Sequence, residues 1–566
     1  MRLVLVCVAI AIGCGSPARE PPAAEHSKPI ALAGDAKPGD AATPRGARLE
    51  IRADRRVELF SILHRLARSP EYRQAGTTAY VTAVDVHFGP FAKHPAVLAT
   101  AAMRTKGIGR DAPMSLAVHL DDGRQLGNAE ALIALEPRWK GVDLEAYLAQ
   151  VRDFATVTKL DAFFDEHHGL YEQAAAKLRA VVDKEDVIGW FDQLFGRRAN
   201  TRYTVVVGML TGPASFGPHA VLPDGTVDNY QILGLGAPEA PSPAPEKNEE
   251  TIGLLVHEMG HSYINPMFAR HRAALEPAGK ALTALVAEPM RAQGYGEWPT
   301  MLNESAVRAL TVLYLRDRRG PDAGAAAARA ELRASFVWTN ELVEVFRKLQ
   351  RDRAGDVEGG MPQIIAFFDG LVKQYGGVLP KQPFIGPVNN AIQGDLAIIQ
   401  PATGDPAVHR YARFIQEKLG ASATLHMAEP DTLERTAGKN LLAYGNPKTN
   451  PVIAAVAEWA GWKITEDGIE LGVKKFPGKR LVLIACWFRR DDPTRAVVVY
   501  ASASDADIVN INAIRHGAYD WLVAQPGPRG YVVVAQGNWP MSNGAWVPPY
   551  WSLPGHCSGD SRRILP

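Results

Sequence analysis

Two histidines four residues apart, with a glutamate beside the first, are the residues in this sequence most able to do chemistry. His257-Glu258-Met259-Gly260-His261 lies within T-I-G-L-L-V-H-E-M-G-H-S-Y-I-N-P, residues 251–266. On a helix, side chains four apart stand one turn apart on the same face. Both imidazoles can then bind one metal ion, and Glu258 can activate a water there. The flanks predict such a helix: Asn248 as N-cap, Glu249 and Glu250 at the positive end of the dipole, and Pro266 as a stop. Ile252, Leu254, Leu255, Val256 and Met259 make it apolar enough to be buried. The alternative is a core helix whose histidines merely satisfy local hydrogen bonds. A third ligand decides between the two.

Zinc catalysis takes three protein ligands and an open position for water. A downstream histidine is excluded as the third ligand, because Ile264 and Met267 stand where that pattern needs Gly and His. A glutamate on a later helix is available in W-P-T-M-L-N-E-S-A-V-R-A-L, residues 298–310. Pro299 and Asn303 suit a helix start, Val307, Leu310 and Leu313 form an apolar stripe, and Arg308 follows Glu304 by one turn. Glu304 is therefore the expected third ligand, ahead of Glu288 and Glu297. Tyr295 and Arg308 are candidates to stabilise the transition state or support a ligand, and Asn265 or Asn303 to orient a ligand histidine.

H-E-M-G-H-S-Y-I-N-P followed by Y-G-E-W-P-T-M-L-N-E-S-A-V-R-A resembles a bacterial family catalogued as domain of unknown function 4932. The similarity extends from about Arg52 to about Gly376 and includes R-R-V-E-L-F-S-I-L-H-R-L-A and F-G-P-F-A-K-H-P. The resemblance implies a gluzincin-like metallopeptidase fold with Zn²⁺ as cofactor. It implies no particular substrate.

Several elements must position these residues. A helix is expected over Val57–Ala67, strands over Thr78–Phe88 and Met114–Leu120, and mostly helix from Leu144 to Phe195. Phe163–His168 reads as a solvated or lid segment, since adjacent histidines on a helix point about 100° apart. Arg202–Leu210 is the clearest strand before the motif helix. Zinc peptidases of this class add the substrate backbone to an edge strand there; a central strand without substrate contact is the competing reading. The loop 235–247 is polar and holds four prolines. Helices are expected over Ala325–Arg351 and Pro362–Tyr375.

A Gly/Pro-rich passage near 376–393 marks a boundary. Beyond it, strands at Asp395–Ile399, Asn440–Tyr444, Leu481–Trp487, Ala496–Tyr500 and Tyr531–Ala535 alternate with helices at His409–Leu419 and Val452–Trp462. Alternation of this kind predicts a small α/β domain with a largely parallel sheet and an accessory role.

At the other end, Met1-Arg2, an apolar run from Leu3 to Ile12 and Gly13-Cys14 resemble a bacterial lipoprotein signal, with Cys14 lipidated. Residues 14–50 then read as a Pro/Ala/Gly-rich tether. Of the four cysteines only Cys486 and Cys557 remain, either as one disulfide or with Cys486 as a buried thiol. With 62 Lys plus Arg against 61 Asp plus Glu, no nucleic-acid surface is indicated.

The expected organisation is a signal (1–13), a tether (14–50), an α+β zincin-like metallopeptidase domain (51–380) and a smaller C-terminal α/β domain (390–566). The expected activity is zinc-dependent hydrolysis of a peptide or protein substrate by an exported lipoprotein, anchored to the outer membrane and facing periplasm or exterior. A non-catalytic envelope scaffold, or hydrolysis of a non-peptide amide, are the alternatives.

Overall fold

The structure is a computed structural model. It describes residues 49–73, 78–212, 214–222, 225–234, 250–379, 381–517, 519–527, 530–539, 541–542 and 545–546. The signal, the tether as far as residue 48, Asn248, the loop before the motif helix and Cys557 lie outside the described residues; Leu49 and Glu50, expected as the end of the tether, belong to the strand Leu49–Arg52, which pairs with Tyr203–Val206. The chain is mixed α/β and divides after Val378 into two compact units.

The first unit is built on a four-stranded sheet in the order Leu49–Arg52, Thr201–Val207, Val227–Leu233, His219–Val221. The first three strands run parallel and the last is antiparallel. The strand expected at Arg202–Leu210 is present at Thr201–Val207, but it is paired on both sides and cannot be the edge. The edges are Leu49–Arg52 and the short strand His219–Val221, the latter extended backwards by a bridge between Phe216 and Ile232.

Helices supply the rest of this unit. The expected strand at Thr78–Phe88 is instead the helix Ala79–Phe88. Its buried residues Tyr80, Val81, Val84 and Phe88 recur at helical spacing, and the Thr78 hydroxyl caps it by accepting from the Val81 N–H at 3.1 Å. Met114–Leu120 is likewise part of a helix, Ala112–Val118, buried on nearly every side, so no periodicity distinguishes it from a strand. In the segment Phe163–His168, Phe163 and Phe164 are core residues rather than a lid and His167 stacks on Phe163, while Asp165, Glu166 and His168 are exposed as a solvated segment requires. The helical region after Glu304 is broken into Pro321–Arg333 and Thr339–Asp352, with Ser335 at φ 70° between them.

The second unit holds a seven-stranded sheet in the order Gly530–Gly537, Trp521–Gly527, Val482–Phe488, Ala496–Ser502, Asn440–Gly445, Leu396–Gln400, Ala423–Met427. Its pairings toward Ala423–Met427 are parallel and those toward Gly530–Gly537 antiparallel. The sheet is therefore mixed rather than largely parallel, because hairpins replace helical crossovers in its second half. Cys486 is buried on Val482–Phe488.

Candidate metal centre

The motif histidines lie on a 21-residue helix, Glu250–Arg270, which runs through Pro266 instead of stopping there. A proline inside a helix cannot donate to the carbonyl four residues back. Here that carbonyl, of Ser262, accepts from Arg198 Nη1 at 2.9 Å, and the Arg198 guanidinium lies 3.9 Å from the Tyr263 ring centroid. The freed acceptor is thus satisfied and the helix continues.

Glu304 lies on the neighbouring helix, Trp298–Arg319. Close approach of the two helices depends on Gly260, where a Cβ would stand 3.2 Å from Val307 Cγ1. Across this contact His257 Nε2 and His261 Nε2 are 3.3 Å apart, and they lie 3.6 and 3.3 Å from the Glu304 carboxylate oxygens Oε2 and Oε1. Asn265 Oδ1 lies 3.2 Å from His261 Nδ1, so that nitrogen donates outward and Nε2 is left to face the cluster. Asn303 makes no hydrogen bond to either histidine among the described residues. Glu288 and Glu297, the competing carboxylates, are exposed.

Glu304 is fixed from behind. Arg308 Nε donates to Glu304 Oε2 at 3.2 Å, while its other nitrogens donate to Glu331 Oε2 at 2.6 Å and to the Tyr295 hydroxyl at 3.3 Å. The guanidinium also lies over the Phe336 ring, 4.4 Å from its centroid. Tyr295 and Arg308 therefore support the carboxylate. Arg308 is engaged with the carboxylate directly, and the Tyr295 hydroxyl through Arg308.

Burial disfavours charge on all four central groups. It pushes Glu258 up to about 7 and His257 down to about 3. At His261 and Glu304 burial is outweighed by their mutual attraction, which lifts the histidine to about 9 and holds the carboxyl at about 2. Two imidazole nitrogens and a carboxylate oxygen, all within 4.8 Å of one another, thus converge on one spot that attracts positive charge. That donor set fits a zinc ion with a fourth position left open. The buried triad could hold a metal ion.

Glu258 follows His257 on the same helix. Its carboxylate is 1% exposed, and Oε1 has no hydrogen-bond partner among the described residues. A Cβ on Gly217 would stand 3.5 Å from Glu258 Oε2 and 3.9 Å from Gln231 Oε1. The edge strand therefore passes directly beside this carboxylate. Phe216, Pro218 and Tyr230 hydrogen bonds tie the strand to its neighbour, so the intervening Gly217 and His219 turn their N–H and C=O groups outward.

Residues 49–367 match the family described as Domain of unknown function (DUF4932), more than half of the 566-residue chain. The chain belongs to the DUF4932 family. The match contains His257, Glu258, His261 and Glu304 and ends within the last helix of the first unit, Met361–Tyr375. No curated protein and no solved structure matches the chain. Within this DUF4932 region the conspicuous His94 is a helix cap, its Nδ1 accepting from the Ala96 N–H at 3.2 Å. Sequence reasoning missed Gly217, which the antiparallel turn-back of the edge strand brings beside Glu258, and Gln231, which stands across the pairing from it.

Proposed function

We propose that this DUF4932 protein is a zinc-dependent peptidase with a zincin-like first unit. The supporting observation is Glu258, a buried carboxylate next in sequence to one histidine of a two-histidine, one-glutamate cluster and beside Gly217, which precedes an edge strand with outward-facing backbone groups. Zinc held by His257, His261 and Glu304 would supply Lewis acidity, polarising a carbonyl and acidifying a water in the open position.

The chain's own residues do the remainder. Gly217 and His219 offer N–H and C=O groups to which an extended peptide adds as a further strand. This aligns a scissile carbonyl near Glu258. Glu258 takes the proton of the attacking water and delivers it to the leaving amine, a role suited to a carboxyl raised to about 7. Arg308 keeps Glu304 ionised and aimed. The signal-like segment ending at Cys14 supports an exported, lipid-anchored location at the outer membrane.

The test is hydrolysis of casein-derived peptides by the zinc-loaded chain and by Glu258→Gln. The expected result is activity in the parent and a loss of at least about 100-fold in the variant, with zinc retained. Equal activity in the variant would contradict the role of Glu258.

A further inference from the structure

Gly217 is a glycine for which its backbone gives no reason. Its φ is not in the left-handed region, and an added Cβ would make only ordinary contacts, 3.5 Å from Glu258 Oε2 and Glu258 O and 3.9 Å from Gln231 Oε1. What a side chain would do there is occupy the space beside the Glu258 carboxylate. Two acceptor groups border that space, the Glu258 carboxylate through Oε2 and the Gln231 amide through Oε1. Both residues are 1% exposed, and neither Gln231 Oε1 nor the other oxygen of the carboxylate, Glu258 Oε1, has a hydrogen-bond partner among the described residues. A buried acceptor left unmet is costly, so a carboxylate and an amide oxygen placed this way call for a donor between them.

We propose that Gly217 and Gln231 form the pocket that positions the attacking water beside Glu258. A water that donates one O–H to Glu258 and the other to Gln231 leaves its lone pairs turned away from both, free to face the ligand cluster and the substrate carbonyl. Gly217 keeps room for it, and the same residue's outward N–H and C=O hold the peptide. One residue of the edge strand thus sets the distance between nucleophile and substrate. Gln231 reaches the pocket because it lies opposite Gly217 across the antiparallel pairing, one position from the Phe216–Ile232 bridge. The inference rests on the peptidase reading and assigns Gly217 and Gln231 as positioning residues for it.

The experiment compares the zinc-loaded full chain with Gly217→Ala and Gln231→Leu. It measures zinc content, thermal midpoint, kcat and KM on a casein-derived peptide, and affinity for a simple peptidyl hydroxamate, whose oxygens take the water's place. Both variants should keep zinc, thermal midpoint and KM, while kcat falls about 100-fold through misplaced geometry. Gly217→Ala should also lose about tenfold in hydroxamate affinity, as its methyl crowds the pocket. If both variants keep kcat and hydroxamate affinity while Glu258→Gln is inactive, the pocket is wrong and the peptidase reading stands. If the parent cleaves no peptide yet binds hydroxamate in a Gly217-dependent way, the pocket stands and the peptidase reading fails. Loss of zinc or of folding in Gly217→Ala would make Gly217 a structural residue and overturn the proposal.

Discussion

Arg308 holds Glu304 through a single hydrogen bond and is itself held by Glu331, Tyr295 and Phe336. Replacing it by methionine keeps much of the side-chain volume and removes that hold. Arg308→Met should weaken zinc binding about 10- to 100-fold, measured by competition with a chelator. A different buried carboxyl governs stability. Glu58 is fully enclosed, accepts from the Tyr80 hydroxyl at 2.9 Å and the Met209 N–H at 3.0 Å, and is pushed by burial up to about 8. A raised carboxyl favours the fold fully below its unfolded value and loses that contribution as pH rises through about 8. Glu58→Gln should therefore flatten the fall in thermal midpoint between about pH 5 and pH 9, with a difference on the order of a few kcal/mol at the alkaline end. At this scale the two motif histidines and Glu258 were legible as candidates because their spacing alone puts them on one helical turn. Glu304 was legible because helix pattern and ligand count left few carboxylates. Gly217 and Gln231 were not, since no local pattern announces a residue that matters for the side chain it lacks.

The helix that carries the histidines is sustained at Pro266 by a contact from another element. Arg198→Met should cost about 1–3 kcal/mol by leaving the Ser262 carbonyl without its donor. In a Pro266→Ala background that cost should shrink, because the alanine restores the helical N–H; a double-mutant cycle by denaturant unfolding measures the coupling. Sequence pattern predicted a stop at this proline, and the compensation by a residue 64 positions before Ser262 could not be read locally. The same limit explains Thr78–Phe88. Its β-branched residues suit a strand, yet burial of Tyr80, Val81, Val84 and Phe88 on one helical face decides the outcome. A strand was expected over Arg202–Leu210 and is present at Thr201–Val207, but edge or centre is a property of pairing, and only its partners on either side, Leu49–Arg52 and Val227–Leu233, reveal it.

Across the whole molecule, the residues proposed to do chemistry all lie in the first unit, within the DUF4932 match. A chain of residues 49–378 should fold and bind zinc in the same ratio as the longer chain, checked by metal content after gel filtration. The mixed sheet of the second unit contributes none of the four central groups. Its strand positions were largely legible from apolar runs, whereas their directions depended on the antiparallel pairings that the strand Trp521–Gly527 makes on both sides. The central claim is that His257, His261 and Glu304 together hold one metal ion. Metal content after exhaustive dialysis, compared among the parent, Glu258→Gln and Glu304→Ala, tests it most directly. The account predicts about one zinc per chain in the parent and in Glu258→Gln, and a clear loss in Glu304→Ala. A parent without zinc, or full zinc in Glu304→Ala, would contradict it.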